Sequence, residues 1–146
     1  MIAPEIASFF GDELAEYETP HFIVYEPGDF YRPHRDLYRD VDVPEPMSRR
    51  RSAVVVFLND RQGSCEDGTE ATGVADRFLG GALRLCSHEL DDFDPDGARE
   101  VPGERGLLVA FRADTWHEVT AVSHGTRYTV VMLLLGPKNS ARSDGA

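Results

Sequence analysis

A histidine and an aspartate stand two residues apart in the stretch FYRPHRDLYRD, as His34 and Asp36. On an extended backbone, residues i and i+2 point to the same face, so an imidazole and a carboxylate can be directed at one point. Two ligands of these types suit a divalent transition metal. A His-x-Asp by itself is more often an ordinary surface pair than a metal site. A facial metal site also needs a third ligand, which should come from another strand.

Four other histidines could complete a facial site, in which three protein ligands occupy one side of the metal. They are His21, His88, His117 and His124. His117 is the best placed, since it opens the strand-like run HEVTAV directly after the buried run GLLVAF and the turn RADTW. His88 lies in a polar bend and His124 in the turn-like SHGT. Taken alone, His117 could equally be a hydrogen-bonded core histidine.

Arg127 opens the most hydrophobic run of the chain, RYTVVMLLLG. An arginine at the mouth of a buried strand needs an anionic partner, and its planar guanidinium is suited to holding a carboxylate through two hydrogen bonds. A dicarboxylate cosubstrate would supply that anion. The alternative is a structural ion pair with one of the many acidic side chains.

Short strand-like runs separated by turn residues dominate the chain after Pro20. Six of them lie at 21–26, 52–58, 81–86, 105–111, 117–122 and 127–135. One amphipathic helix, predicted over residues 3–17, precedes them. Since helical crossovers are missing, the pattern predicts a mainly β fold, a sandwich or closed barrel, rather than βαβ units.

The 146 residues are expected to form a single domain, with a barrel over about 20–136 and a flexible tail over 137–146. Two stretches, 37–51 and 61–78, are too long and polar for hairpin turns. Long loops in compact domains are often functional lids, and these two are predicted to border the same end of the barrel.

The formal charge of −11 makes nucleic acid and anionic lipid poor partners for this surface. The first residues are acidic where a signal peptide needs a basic region, and no apolar run has membrane-spanning length. We therefore expect a cytoplasmic protein. Two cysteines, Cys65 and Cys86, are interpreted as free thiols because their spacing fits neither a disulfide framework nor a metal site.

The order of several sequence blocks resembles the iron(II) and 2-oxoglutarate-dependent oxygenases, specifically the prolyl 4-hydroxylase-like branch. The blocks are YEPGDFYRPHRD, VVVFLND, GGALRL, PGERGLLVAF and WHEVTAVSHGTRYTVVMLLLG, which together span about residues 20–136. A His-x-Asp motif alone would be weak evidence for this family, whereas the five blocks in this order are specific to it. The segment from Arg61 to Leu79 departs from the family, which usually has a short turn there, so the lid and the substrate are not predicted by the resemblance.

The resemblance implies that His34, Asp36 and His117 bind iron(II), and that Arg127 binds the distal carboxylate of 2-oxoglutarate. Tyr25 matches a tyrosine of the family that can hydrogen-bond the same carboxylate. The implied fold is a double-stranded β-helix, a jelly-roll, cupin-like barrel, with the short helix before it. Leu58, Asn59, Gly80 and Gly81 belong to the family pattern as turn or wall residues.

The implied activity is that of a dioxygenase which consumes 2-oxoglutarate and dioxygen, releases succinate and carbon dioxide, and hydroxylates an unactivated C–H bond. The carboxylate of Asp36 favours hydroxylation over halogenation, while desaturation or cyclisation remains open. The expected substrate is a small molecule, such as an amino acid or natural-product intermediate, or a peptidyl proline. The alternative is a non-catalytic metal-binding barrel with a ligand-binding or structural role.

Several arginines could also meet a carboxylate of the substrate. Arg32, Arg39, Arg49, Arg50 and Arg51 lie near the metal motif in sequence, and Arg84 lies on the strand-like run ALRL. The run Arg49–Arg51 is, however, more typical of a solvated loop. Because the N-terminal helical segment is short for the family, part of the barrel is expected to be covered by loops or by a partner subunit. A homodimer is therefore possible.

Overall fold

Twelve short β-strands and one α-helix form the part of the chain that the computed structural model describes, residues 2–38, 42–62 and 76–138. Helix α1 is Ala3–Phe10, and a 3-10 turn spans Met47–Arg49. The strands are β1 (Glu16–Tyr17), β2 (His21–Tyr25), β3 (Tyr31–His34), β4 (Arg50–Phe57), β5 (Asp60–Arg61), β6 (Arg77–Gly80), β7 (Leu83–Leu85), β8 (Arg99–Glu100), β9 (Leu108–Arg112), β10 (His117–Val119), β11 (Val122–His124) and β12 (Arg127–Leu135).

Two antiparallel sheets build the barrel. In the larger sheet, β12 pairs with β4, and β4 pairs with β9, while β1 and β2 pair with different parts of the other edge of β12. The smaller sheet has the order β3-β10-β7-β8. A third, short sheet joins β11, β6 and β5, and its β5–β6 pair is parallel. This arrangement confirms the predicted mainly β, jelly-roll class.

The main hydrophobic core lies between the two large sheets. It takes Val55 and Phe57 from the larger sheet and Leu83 and Val119 from the smaller one, all of them buried. A second cluster, around Ile6, Val54 and Leu134, seats α1 on the outer face of the larger sheet. Alternation along each strand therefore sends one set of side chains into the barrel and the other towards α1 or solvent.

The predicted helix over residues 3–17 is wrong at its C-terminal end, because α1 stops at Phe10. Gly11 adopts a left-handed conformation with φ 69° and its N–H bonds the carbonyl of Ala7, which terminates the helix. The following chain is extended, and Glu16–Tyr17 pairs with the end of β12. The apolar residue Leu14 fits the helical spacing, which is why the predicted helix is too long. In the structure Leu14 lies in this extended segment and packs against the cluster of Ile6, Val54 and Leu134.

Several sequence predictions lie outside the described residues. These are Arg39, Cys65, the central part of the 61–79 segment and the tail after residue 138. Cys86 is a free, buried thiol, as expected. Across the described ranges, every helix is too short or too polar to traverse a bilayer.

Candidate metal centre

Strand pairing brings together two of the predicted ligands. His34 is the last residue of β3 and His117 the first of β10, and the two are direct partners in the antiparallel pair. Asp36 lies in a bend two residues beyond β3, so it is not on the continuous strand that the i, i+2 argument assumed. Instead, its N–H donates to the carbonyl of Ala113 at 2.9 Å, which anchors the bend against the turn before β10.

The three side chains converge. Asp36 places its two carboxylate oxygens 3.8 Å from His34 Nε2 and 3.6 Å from His117 Nε2. The two imidazole ring centroids are 4.1 Å apart. One potential ligand atom from each residue lies within 4.8 Å of the others, and no other such group exists among the described residues. His21, His88 and His124 are not part of it.

Hydrogen bonds to backbone carbonyls fix which nitrogen of each imidazole can bind a metal. Nδ1 of His34 lies 2.8 Å from the carbonyl oxygen of Arg32, and Nδ1 of His117 lies 2.9 Å from that of Thr115. A carbonyl oxygen can only accept, so each Nδ1 carries the proton and each Nε2 keeps a free lone pair. Both lone pairs are on the nitrogens that approach Asp36.

The surroundings of His34 favour the neutral imidazole, which is the form that can bind a cation. Burial, and then the neighbouring His117, lower the pKa of His34 below its usual value, although the carbonyl of Arg32 and the carboxylate of Asp36 oppose the shift. His34 is therefore neutral near pH 7 and able to act as a ligand. Two imidazoles and one carboxylate are the donors that a mononuclear iron(II) site uses, so the residues fit that metal.

Arg127 lies inside the same barrel with only 2% of its surface exposed. Its guanidinium carbon is 5.0 Å from the ring centre of Tyr25 and 5.3 Å from that of Phe57. Phe57 belongs to the main core together with Phe111, whose ring is 4.8 Å from that of His117. The arginine and the triad thus share one interior.

The charge of Arg127 is not neutralised by any carboxylate of the described residues. Its one hydrogen bond is a long one from Nη1 to the hydroxyl of Thr129, at 3.3 Å, and its Nε is buried without a partner. Burial lowers the pKa of Arg127 to about 10, with Tyr25 opposing the shift. A buried cation is costly unless something anionic meets it, so this geometry is that of an anion site.

Neighbouring elements hold Arg127 in place. Asn59 is buried just after β4 and bonds the backbone on both sides of Arg127. Its Nδ2 donates to the carbonyl of Thr126 at 2.7 Å, and its Oδ1 accepts from the N–H of Tyr128 at 3.0 Å. Gly81 packs against the aliphatic part of the arginine, where a Cβ would lie 3.1 Å from Cδ. The sequence interpretation treated both residues as turn or wall residues, and their support of Arg127 is visible only in three dimensions.

Tyr25 is the direct strand partner of Arg127 and is buried. Burial raises the pKa of its phenol, so the hydroxyl keeps its proton at neutral pH and can donate a hydrogen bond. Tyr25 therefore lies beside Arg127, and its predicted hydrogen bond to the distal carboxylate of 2-oxoglutarate stays a prediction.

The arginines suggested as substrate contacts are mostly engaged elsewhere. Arg49 is buried and pairs with Glu16 at 2.8 Å, Arg50 pairs with Glu18 at 2.7 Å, and Arg84 pairs with Glu118 at 2.7 Å. The interpretation of Arg49–Arg51 as a solvated loop is wrong, because β4 begins within it. Arg50 also supports the site, since its Nη1 donates to the carbonyl of Asp36 at 3.2 Å.

Fold and site together define a class of protein. Two histidines and one carboxylate that converge within a double-stranded β-helix are the donor set found in the facial triad of mononuclear non-haem metal enzymes. The sequence matches the 2OG-Fe(II) oxygenase superfamily over residues 20–134. The chain belongs to this superfamily, as its sequence blocks predicted. Membership implies iron(II) as the metal, with 2-oxoglutarate and dioxygen as cosubstrates.

Solved structures of prolyl hydroxylases share the fold. A prolyl-4-hydroxylase from Pseudomonas putida is 28% identical with a TM-score of 0.61, and the match covers 92% of this chain and 60% of that chain. A prolyl 4-hydroxylase from Phytophthora capsici is 20% identical, with a TM-score of 0.61 and coverage of 99% and 42%. A viral collagen prolyl hydroxylase from Paramecium Bursaria Chlorella virus-1 is 18% identical, with a TM-score of 0.60 and coverage of 94% and 72%. No curated protein matches the chain.

The match to the Pseudomonas putida enzyme confirms the predicted relation to the prolyl 4-hydroxylase-like branch. The chain nevertheless spans less than two thirds of the length of that enzyme and of the Phytophthora capsici enzyme.

Proposed function

We propose that this chain is an iron(II)- and 2-oxoglutarate-dependent hydroxylase, in which His34, Asp36 and His117 hold the metal. Arg127 binds the distal carboxylate of 2-oxoglutarate, and Tyr25 donates a hydrogen bond to the same group. When bound, iron(II) with 2-oxoglutarate supplies the oxidation of an unactivated C–H bond, with succinate and carbon dioxide as coproducts.

The observation that carries this proposal is the buried, uncompensated guanidinium of Arg127 in the same interior as the triad. A structural or purely metal-storing barrel has no use for a cation whose burial is unfavourable. A dicarboxylate that reaches from the metal into the barrel would compensate it. Because the rings of Tyr25 and Phe57 flank the guanidinium and exclude water, the resulting charged contact would be strong.

The protein residues have distinct tasks in this reaction. The carbonyls of Arg32 and Thr115 hold the Nδ1 protons, which keeps both Nε2 atoms available as ligands. Asp36 supplies the negative ligand, and its presence supports hydroxylation over halogenation. The ring of Tyr31 lies 4.1 Å from that of His34 and is about half exposed, which supports substrate entry from this side.

The substrate is proposed at the level of a class, either a peptidyl proline or a small molecule such as an amino acid. The similarity to a prolyl-4-hydroxylase supports a prolyl peptide as the first compound to test. The acidic net charge of −11 supports a substrate other than nucleic acid, and a cytoplasmic location remains a prediction.

The proposal is tested first by anaerobic addition of iron(II) and 2-oxoglutarate. A visible metal-to-ligand charge-transfer band is expected, together with succinate formation once oxygen and a prolyl peptide or amino acid are supplied. His34→Ala and Asp36→Ala should lose both signals, because each removes a ligand of the triad. His124→Ala is the matched control, since this histidine is exposed and lies outside the triad.

Two results would count against the proposal. If His34→Ala or Asp36→Ala kept full activity, the assignment of these residues as metal ligands would be wrong. Absence of the band in the wild-type protein, combined with tight retention of zinc, would instead indicate a non-catalytic metal-binding barrel.

A further inference from the structure

Four residues next to the ligand-bearing segments form a connected cluster, which we call the Leu90 clamp: Arg35, Tyr38, Leu90 and Trp116. Two of them are direct sequence neighbours of the ligands. Arg35 stands between His34 and Asp36, and Trp116 immediately precedes His117. The clamp therefore touches both chain segments that carry the metal-binding side chains.

The contacts within the clamp converge on one carbonyl. Nη2 of Arg35 and Nε1 of Trp116, the latter at 3.2 Å, both donate to the carbonyl of Leu90. The guanidinium carbon of Arg35 lies 4.8 Å from the indole centre of Trp116. Tyr38 packs edge-on against the same indole at 6.1 Å, and its hydroxyl accepts from the N–H of Arg35 at 3.3 Å.

The clamp contacts the two ligand-bearing segments just outside their strands. Arg35 follows the last residue of β3, and Trp116 precedes the first residue of β10. Arg35 stacks on Trp116, and both side chains donate to the carbonyl of Leu90. These two side chains are thus positioned to hold the chain segments on which His34 and His117 lie.

The way in which Arg35 uses its charge is unusual for this acidic chain. Among the described residues, its side chain bonds the carbonyl of Leu90 and stacks on Trp116 and forms no ion pair, although the segment that it holds contains Glu89, Asp91 and Asp92. Its Nε is buried without a hydrogen-bond partner. The planar guanidinium is employed for stacking and for one carbonyl bond, a combination that the point charge of a lysine cannot reproduce.

We propose that Arg35 and Trp116 are positioning residues for the metal centre. By fixing the segments 34–36 and 115–117 to the same carbonyl, they set the separation of His34, Asp36 and His117. The inference rests on the proposed metal site, because it concerns the spacing of those ligands. It predicts that loosening the clamp weakens metal binding while the barrel still folds.

The test uses anaerobic titration of the metal-free protein with cobalt(II), followed through its visible d–d absorption, which reports both affinity and coordination geometry. Arg35→Lys should lower the cobalt(II) affinity about 10- to 100-fold, as is typical for partners that orient metal ligands, and should alter the d–d spectrum. Trp116→Phe keeps the ring face but removes the N–H donor, so an intermediate loss is expected. The thermal midpoints of the metal-free variants should stay close to that of the wild type.

Arg61→Lys is the matched control. Like Arg35, Arg61 has a buried Nε without a hydrogen-bond partner, but its guanidinium pairs with Glu100 at 3.0 Å, away from the segments that carry the ligands. Its substitution should leave cobalt(II) affinity and spectrum unchanged.

The proposal is overturned if Arg35→Lys and Trp116→Phe bind cobalt(II) with wild-type affinity and spectrum, or if Arg61→Lys shows the same loss as Arg35→Lys. A failure of the metal site itself would look different, because then the wild-type protein would show no saturable cobalt(II) binding. That result would overturn both proposals.

Discussion

Arg127 shows at the scale of a single residue how the folded chain accommodates an unfavourable group. A guanidinium that is 2% exposed, with an unpartnered Nε, destabilises the ligand-free barrel. Such groups persist where a ligand compensates them, and functional sites are where they concentrate. The same side chain should therefore lower the stability of the empty protein and raise its affinity for a dicarboxylate.

Arg127→Leu separates these two effects. Loss of a bidentate charged contact of about 2 to 5 kcal/mol should raise the 2-oxoglutarate concentration required for activity at least ~30-fold, with the iron requirement nearly unchanged. The thermal midpoint of the ligand-free protein should not fall, because an unpaired buried charge is removed. Isothermal titration and thermal unfolding measure the two quantities.

Arg61→Leu is the control for this change, since Arg61 forms a surface ion pair with Glu100 at 3.0 Å and lies outside the site. If Arg127→Leu kept the wild-type requirement for 2-oxoglutarate, Arg127 would have no part in cosubstrate binding.

The pH dependence of the same contact follows from the pKa of Arg127, which burial lowers to about 10. Below that pH the guanidinium is protonated and can bind an anion, whereas above it the charge is lost. The contribution of Arg127 to 2-oxoglutarate affinity should thus be constant from about pH 7 to 9 and decline as pH passes about 10. Titrations over this range should show the decline in wild type and not in Arg127→Leu.

At the scale of elements, the turn between β6 and β7 controls how closely the chain approaches Arg127. Gly81 has φ +57°, and a Cβ there would lie 2.9 Å from Val122 Cγ2 and 3.1 Å from Arg127 Cδ. The glycine is needed both for its left-handed conformation and for the close approach of the arginine.

Gly81→Ala should therefore impair both stability and cosubstrate binding. The left-handed conformation costs a non-glycine residue about 1 to 2 kcal/mol, and the added methyl displaces the Arg127 side chain, which raises the requirement for 2-oxoglutarate. Gly106→Ala is the control, because Gly106 has φ +82° but a Cβ added there would meet no atom within 4 Å. It should lower the unfolding free energy similarly and leave 2-oxoglutarate affinity unchanged. Equal affinities for the two variants would show that Gly81 does not position Arg127.

At the scale of the whole molecule, part of the outer face of the larger sheet is left uncovered. Phe22 and Val24 on β2 are 78% and 52% exposed, and their strand partners on β12 are Val130 and Tyr128. Among the described residues, β2 pairs only with β12, so its second edge is free, and the strand itself carries no lysine or proline that would block pairing. An antiparallel pair of two β2 strands would be self-complementary, as a two-fold dimer requires.

We propose that two copies of the chain can pair through β2. Phe22→Lys and Val24→Lys should each produce a monomer, because they introduce a charge on the paired strand. Phe30→Lys is the control, since Phe30 is 65% exposed but lies outside the β2 strand. Sedimentation velocity at micromolar concentration measures the oligomeric state, and a monomeric wild-type protein would contradict the prediction.

Local patterns in the sequence were sufficient for much of the fold. The continuous apolar run of β12 predicted its observed limits, Arg127–Leu135, because a buried central strand is recognisable from composition alone. The helix end was missed, since Leu14 suits either a helical face or an extended contact with the same cluster. The arginines at 49–51 were misread because their partners, Glu16 and Glu18, lie more than 30 residues earlier in the chain.

The order of residues was enough to predict which chemistry is available: two imidazoles and a carboxylate in a known order of motifs, and an arginine at the head of a buried strand. Three-dimensional contacts were needed to see that these groups meet, that both Nε2 atoms are free, and that no described carboxylate neutralises Arg127. Residue types and short spacings are local properties of the chain, whereas these contacts are not. Contacts such as those of Asn59 with Thr126, 67 residues apart, and of Arg35 with Leu90, 55 residues apart, arise only when the sheets close.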